Sequence, residues 1–104
     1  MKVDLSGKRV LVTQAKDYMG PQSVETFRKA GAEVIADDTI LTDPDGPARI
    51  IDKAGDLDIL IVNLAAPNHF GVALEDLDDN TWSSMFNIMV HPLHRLVRAI
   101  APQM

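Results

Sequence analysis

A chain of 104 residues with 46% apolar composition and near-zero mean hydropathy has the size and balance of one small globular domain, and no apolar stretch in it is long enough to span a bilayer. Fifteen acidic residues against ten basic ones leave a net charge of -5 with both signs scattered, which argues against a nucleic-acid or anionic-membrane partner. The lack of cysteine excludes disulfides, thiolate catalysis and cysteine-ligated zinc, and together with an N-terminus that has no apolar signal core it points to the cytoplasm.

Arg9-Val10-Leu11-Val12-Thr13, behind the turn-forming Ser6-Gly7, predicts a short strand buried on both faces. Gln14 to Gly20 carries no strand pattern. Pro21 suits a first helical position, Val24, Phe27 and Ala30 recur at helical spacing, and Gly31 ends the pattern, so a helix is expected over Pro21 to Ala30. Glu33-Val34-Ile35-Ala36 is a second strand that stops at Asp37-Asp38, and strand, helix, strand in this order makes a parallel pair. After the turn formers between Leu41 and Pro47, the residues Ala48, Ile50, Ile51 and Ala54 predict a short helix closed by Gly55. Leu57 to Asn63 is the clearest strand, with the unbroken apolar run Ile59 to Val62 expected of a central parallel strand. Leu64 to Leu77 reads as loop. Asp78-Asp79-Asn80 caps a last helix with Trp82, Phe86, Met89, Leu93, Leu96, Val97 and Ile100 on one stripe, which Pro92 kinks or divides. That stripe is expected as core on one side, with Met85, Ile88 and Pro92 as a second apolar flank for a partner. The order of elements predicts an α/β fold of Rossmann type, a parallel sheet with flanking helices, as a single domain over 1–104.

In a dinucleotide-binding fold, glycines after the first strand let the backbone approach a pyrophosphate at the N-terminus of the next helix. Thr13 to Gly20 has the placement of such a turn, but Gln14 and Tyr18 stand where glycines are usual. The Gln14 side chain crowds the space of a phosphate, and the Tyr18 phenol is expected to project into the cleft; a divergent turn without a ligand accounts for both equally well. Asp37 or Asp38, at the end of the second strand, suits the carboxylate that accepts hydrogen bonds from an adenosine ribose, and it would repel a 2′-phosphate and so favour NAD over NADP. The plain alternative is a solvated turn. Asn63, at the carboxyl end of the clearest strand, is placed either to meet a ligand or, in the more ordinary role, to hydrogen-bond the loop backbone. His91 and His94 share a helical face without the acid of a zinc-protease motif, and with His69 they read as surface residues, so no metal is expected.

Taken together these segments resemble the short-chain dehydrogenases/reductases along nearly the whole chain. Leu5 to Thr13 is similar to that family's opening, and Thr13 and Gly20 fit its Thr-Gly-x-x-x-Gly-x-Gly turn. Asn63 and Ala65 match its Asn-Asn-Ala-Gly segment, and Trp82-Ser83-Ser84-Met85-Phe86-Asn87 resembles the helix that carries its catalytic asparagine, here Asn87. The resemblance implies a nucleotide site drawn from Thr13, Gln14, Tyr18, Gly20, Asp37, Asn63 and Ala65. It implies hydride transfer between NAD(P) and the alcohol or carbonyl of a small-molecule substrate, and a homo-oligomer formed through the helix over 80–100. The family's serine and its paired tyrosine and lysine have no counterparts up to Met104. The chain is therefore expected to be an N-terminal portion, inactive alone, whose interior fourth strand keeps an unpaired edge. The departures at Gln14 and Tyr18, with Gly20-Pro21 opening the helix, resemble halohydrin dehalogenases. They imply as an alternative a cofactor-free lyase with a halide pocket bordered by Tyr18. A non-catalytic Rossmann-like interaction module is the third expectation.

Overall fold

A computed structural model describes residues 3–67 and 71–104. Strand β1 (Arg9–Val12) is the centre of a three-stranded parallel sheet in the order β2-β1-β3, where β2 is Glu33–Ala36 and β3 is Ile59–Ile61. Leu11 pairs with Ile35 on one side and with Leu60 on the other. Because side chains alternate across a strand, Val10 and Val12 face one layer and Leu11 the opposite one, and all three are fully buried. Val10 and Val12 pack with Ala15, Val24 and Ala32 under helix α1 (Gly20–Lys29). Leu11 packs with Leu41, Ile50, Ile51, Leu96 and Ile100 under helices α2 (Gly46–Ala54) and α4 (His91–Ile100). Burial of a side chain such as Leu11 contributes about 1.5–3 kcal/mol, so these two layers hold the strand ends in place. The result is the expected α/β arrangement, a partial Rossmann sheet that is not closed.

The helix ends follow local chemistry. Pro21 and Pro47 stand in the first turns of α1 and α2, where a missing N–H costs nothing. Gly31 (φ 95°) and Gly55 (φ 77°) take the left-handed conformations that turn the chain after those helices. Helix α3 (Asp79–Met89) begins at Asp78, whose carboxylate accepts from the Thr81 N–H at 2.7 Å. Between α3 and α4 the chain breaks at Val90, because Pro92 can supply no N–H to continue a single helix.

Two expectations are corrected. The ladder of the third strand is confined to Ile59–Ile61 rather than Leu57 to Asn63. The Leu57 N–H is taken by Gln103 Oε1 at 2.8 Å, and the Asn63 N–H by the Thr13 hydroxyl at 3.0 Å and the Ile61 carbonyl at 3.1 Å. This strand pairs with β1 alone among the described residues, and its three side chains are half-buried. The apolar stripe of the last helices also holds only in part, with Leu96 and Ile100 buried as expected and the rest turned outward. Pro92, Leu96 and Ile100 are buried and Met85 and Ile88 half-buried, whereas Trp82, Phe86, Met89, Leu93 and Val97 are exposed. The break at Val90 decides this, since each half rotates independently and α4 turns its Pro92–Leu96–Ile100 row onto the sheet.

Candidate functional site

From β1 the chain passes by way of α1 to β2 on one side, while β3 lies on the other, so the carboxyl ends of β1 and β3 flank the point where the strand order reverses. Open α/β sheets bind ligands in the crevice outside such a point. Here the crevice is bounded by the turn from Thr13 to Gly20 and by the segment from Asn63 to Pro67.

Thr13 and Asn63, both buried, lock the two sides together. The Thr13 hydroxyl donates to the Asn63 carbonyl at 2.8 Å and accepts from the Asn63 N–H at 3.0 Å. Asn63 Nδ2 donates to the carbonyls of Gln14 and Asp17, each at 2.9 Å, so this side chain shapes the turn. Gly20 closes the turn on α1. A Cβ on it would stand 2.6 Å from the Ala15 carbonyl carbon and 2.8 Å from its Cα, well inside contact distance with backbone that cannot move aside.

Gln14 (φ 43°) and Tyr18 (φ 50°) have left-handed backbones, the only non-glycine residues that do among those described. The turn therefore keeps the conformation glycine adopts freely, at a cost of about 1 kcal/mol or more for each side chain. At Gln14 that cost is offset by hydrogen bonds. The residue is 3% exposed, and Nε2 donates to Asp17 Oδ2 and to the Ala65 carbonyl, both at 3.1 Å. Oε1 accepts from the Ala65 N–H at 3.4 Å. The side chain thus crosses from the turn after β1 to the segment after β3. Tyr18 is 78% exposed, so its ring borders open solvent rather than an enclosed cleft.

Asp37 extends the β1–β2 ladder, donating its N–H to the Val12 carbonyl at 3.0 Å and accepting from the Ala15 N–H at 2.8 Å. Its Oδ1 accepts from the Thr39 N–H at 2.8 Å, which orients the half-buried carboxylate. Asp38 instead pairs with Lys16 at 3.3 Å in an exposed ion pair. The N-terminus of α1 carries no acidic residue in its first turn and no side-chain cap, so its positive end is left free. Asn87 is exposed on α3, as are His91 and His94 on α4, and no group of three or more His, Asp or Glu residues among those described could hold a metal. His69 lies outside the described residues. A hollow of about 670 Å³ lies between α2 and the C-terminal residues, bounded by Ala48, Asp52, Gly55, Ala99 and Gln103. Gly55 precedes β3, which puts that hollow at the amino ends of the strands, away from the switch point.

Thr13, Gln14, Gly20, Asn63 and Ala65 are brought together, and Asp37 meets the turn only through its backbone carbonyl, which accepts from the Ala15 N–H, whereas Asn87 and Tyr18 make no side-chain hydrogen bond to the group among the described residues. Asp17 and Thr39 were not expected. They orient Gln14 and Asp37, and a polar residue a few positions along a turn gives no sign of doing so.

No protein-family model matches the chain, and no curated protein does. Solved structures do. L-Sorbose reductase from Gluconobacter frateurii, complexed with NADPH and L-sorbose, superposes with a TM-score of 0.85 at 20% identity, covering 100% of this chain and 50% of that one. The 2-keto-3-deoxy-D-gluconate dehydrogenase from Streptococcus agalactiae gives 0.75 at 20% identity, over 99% and 48%. A protein of Burkholderia xenovorans described as a short-chain dehydrogenase/reductase gives 0.80 at 23%, over 96% and 52%. The chain has the fold of the short-chain dehydrogenases/reductases. It spans about half the length of these solved structures. In that fold the turn after the first strand and the acidic end of the second belong to the nucleotide crevice, which is where Gln14, Gly20 and Asp37 stand. The left-handed turn leading into an uncapped helix N-terminus is a geometry that suits a pyrophosphate, whereas the carboxamide of the buried Gln14 lies across the turn to Ala65.

Proposed function

We propose that this chain forms the nucleotide side of an oxidoreductase of the short-chain dehydrogenase/reductase type, acting on the alcohol or carbonyl of a small molecule. The observation that carries this reading is the turn itself: left-handed backbone at Gln14 and Tyr18, leading from β1 into the free N-terminus of α1, with the Ala15 N–H of the turn bonded to the Asp37 carbonyl at the end of β2. Backbone amides and a helix dipole suit a pyrophosphate, and the remaining Asp37 oxygen suits a ribose hydroxyl. A nicotinamide dinucleotide, when bound, supplies or removes a hydride. This chain's own residues bind and orient it. Asn87, by family resemblance, belongs to the catalytic side. The exposed apolar face of α3 and α4, with Trp82, Phe86, Leu93 and Val97, supports association with a second copy.

Titration of the full chain with NADH and NADPH, read by Trp82 fluorescence and by calorimetry, tests the proposal. Binding is expected, tighter for NADH, because the Asp37 carboxylate disfavours a 2′-phosphate; Asp37→Ala is expected to erase that preference. No binding of either dinucleotide, by this chain or by its Gln14→Gly variant, overturns it. A second reading, a cofactor-free lyase resembling halohydrin dehalogenases, is favoured by the Gln14 bridge to Ala65. Bromide binding without dinucleotide binding is its expected signature.

A further inference from the structure

At the switch point the crevice is crossed by one side chain. Gln14 is buried, and of the three hydrogen bonds of its side chain two reach Ala65, 51 residues further along the chain, while the third goes to Asp17 within the turn. Both N–H donors of the carboxamide have acceptors, so the group is satisfied where it lies. Its backbone has the left-handed conformation that a glycine would adopt freely. A glycine here would leave the crevice open and the Ala65 N–H and C=O free for the polar edge of a ligand.

We infer that Gln14 is a latch: its carboxamide ties the turn after β1 to the segment after β3 and keeps a dinucleotide out of the crevice until the side chain swings away. This inference rests on the dinucleotide reading proposed above. A latch of this kind lowers the fraction of molecules able to bind, and the apparent dissociation constant rises by the same factor. It also links the two sides mechanically, so that opening frees the segment over 64–67 while the Thr13–Asn63 pair holds the strand ends.

The experiment compares the full chain with Gln14→Gly and Gln14→Asn. Glycine removes the side chain and suits the backbone. Asparagine tolerates the same backbone but is one methylene too short to span to Ala65. Calorimetry with NADH and NADPH is paired with amide hydrogen exchange, and far-ultraviolet circular dichroism checks that each variant is folded. Both variants are expected to bind dinucleotide roughly tenfold more tightly or better, and to exchange faster over 64–67 with the helices intact. Equal or weaker binding by variants that do bind overturns the latch alone, as does unchanged exchange at Ala65. No binding by wild type or by either variant overturns the dinucleotide reading, and the latch with it.

Discussion

A Cβ on Gly20 meets the backbone of Ala15, which β1 and α1 hold from both sides. Helix propensity favours alanine over glycine by about 1 kcal/mol, whereas forcing atoms into packed backbone costs about 1–3 kcal/mol or more. The clash outweighs the propensity. Gly20→Ala is therefore expected to lower the unfolding free energy by roughly 1–2 kcal/mol in a urea titration, and an unchanged midpoint would show that the turn relaxes. At this scale Thr13, Gly20, Asn63 and Ala65 were legible, because their spacing along the chain is a recognisable pattern. The Gln14 bridge was not, since its partner lies 51 residues away and only the sheet brings the two together. The expected crowding by Gln14 rested on residue type; where the carboxamide goes is a matter of three hydrogen bonds.

Helix α3 has no buried residue, so its stability leans on its first turn more than that of α1 or α2 does. The Thr81 N–H bonded to Asp78 holds that carboxyl below its ordinary value. A carboxyl lowered in the folded state stabilises fully above its unfolded value, and that contribution is lost as the pH falls through the lowered one. Asp78→Ala is thus expected to lower the thermal midpoint at neutral pH and to leave wild type and variant closer together in acid. A difference that grows on acidification would contradict the cap. The outer sides of α3 and α4 carry a separate expectation. If they meet a second copy, sedimentation will show a dimer or larger assembly, and Phe86→Glu will shift it toward monomer without loss of helix; a monomeric wild type would overturn that proposal. The elements themselves were predicted within a residue or two where caps and breakers are strong, as at Pro21, Gly31 and Gly55. The boundary of β3 was missed because competing side-chain partners, Gln103 and Thr13, take its terminal N–H groups.

At the scale of the molecule, helices lie on both faces of a parallel sheet whose two outer strands each have one neighbour among the described residues. Parallel strands and helical crossovers follow from alternation and periodicity, which are local properties of a chain, so the Rossmann class, the order of elements and the position of the turn could be read directly from the residues. Burial could be read only in part. The expected core stripe holds at Leu96 and Ile100, which pack in one cluster with Leu11 and Ile51, but not at Trp82, Phe86 and Leu93, because a helical stripe has the same spacing whichever way it faces. The state of the crevice is likewise tertiary. Gln14 in a glycine position identifies an altered turn, but an open or bridged crevice depends on how close β3 carries Ala65 to β1, and that distance is set by the sheet register rather than by either residue.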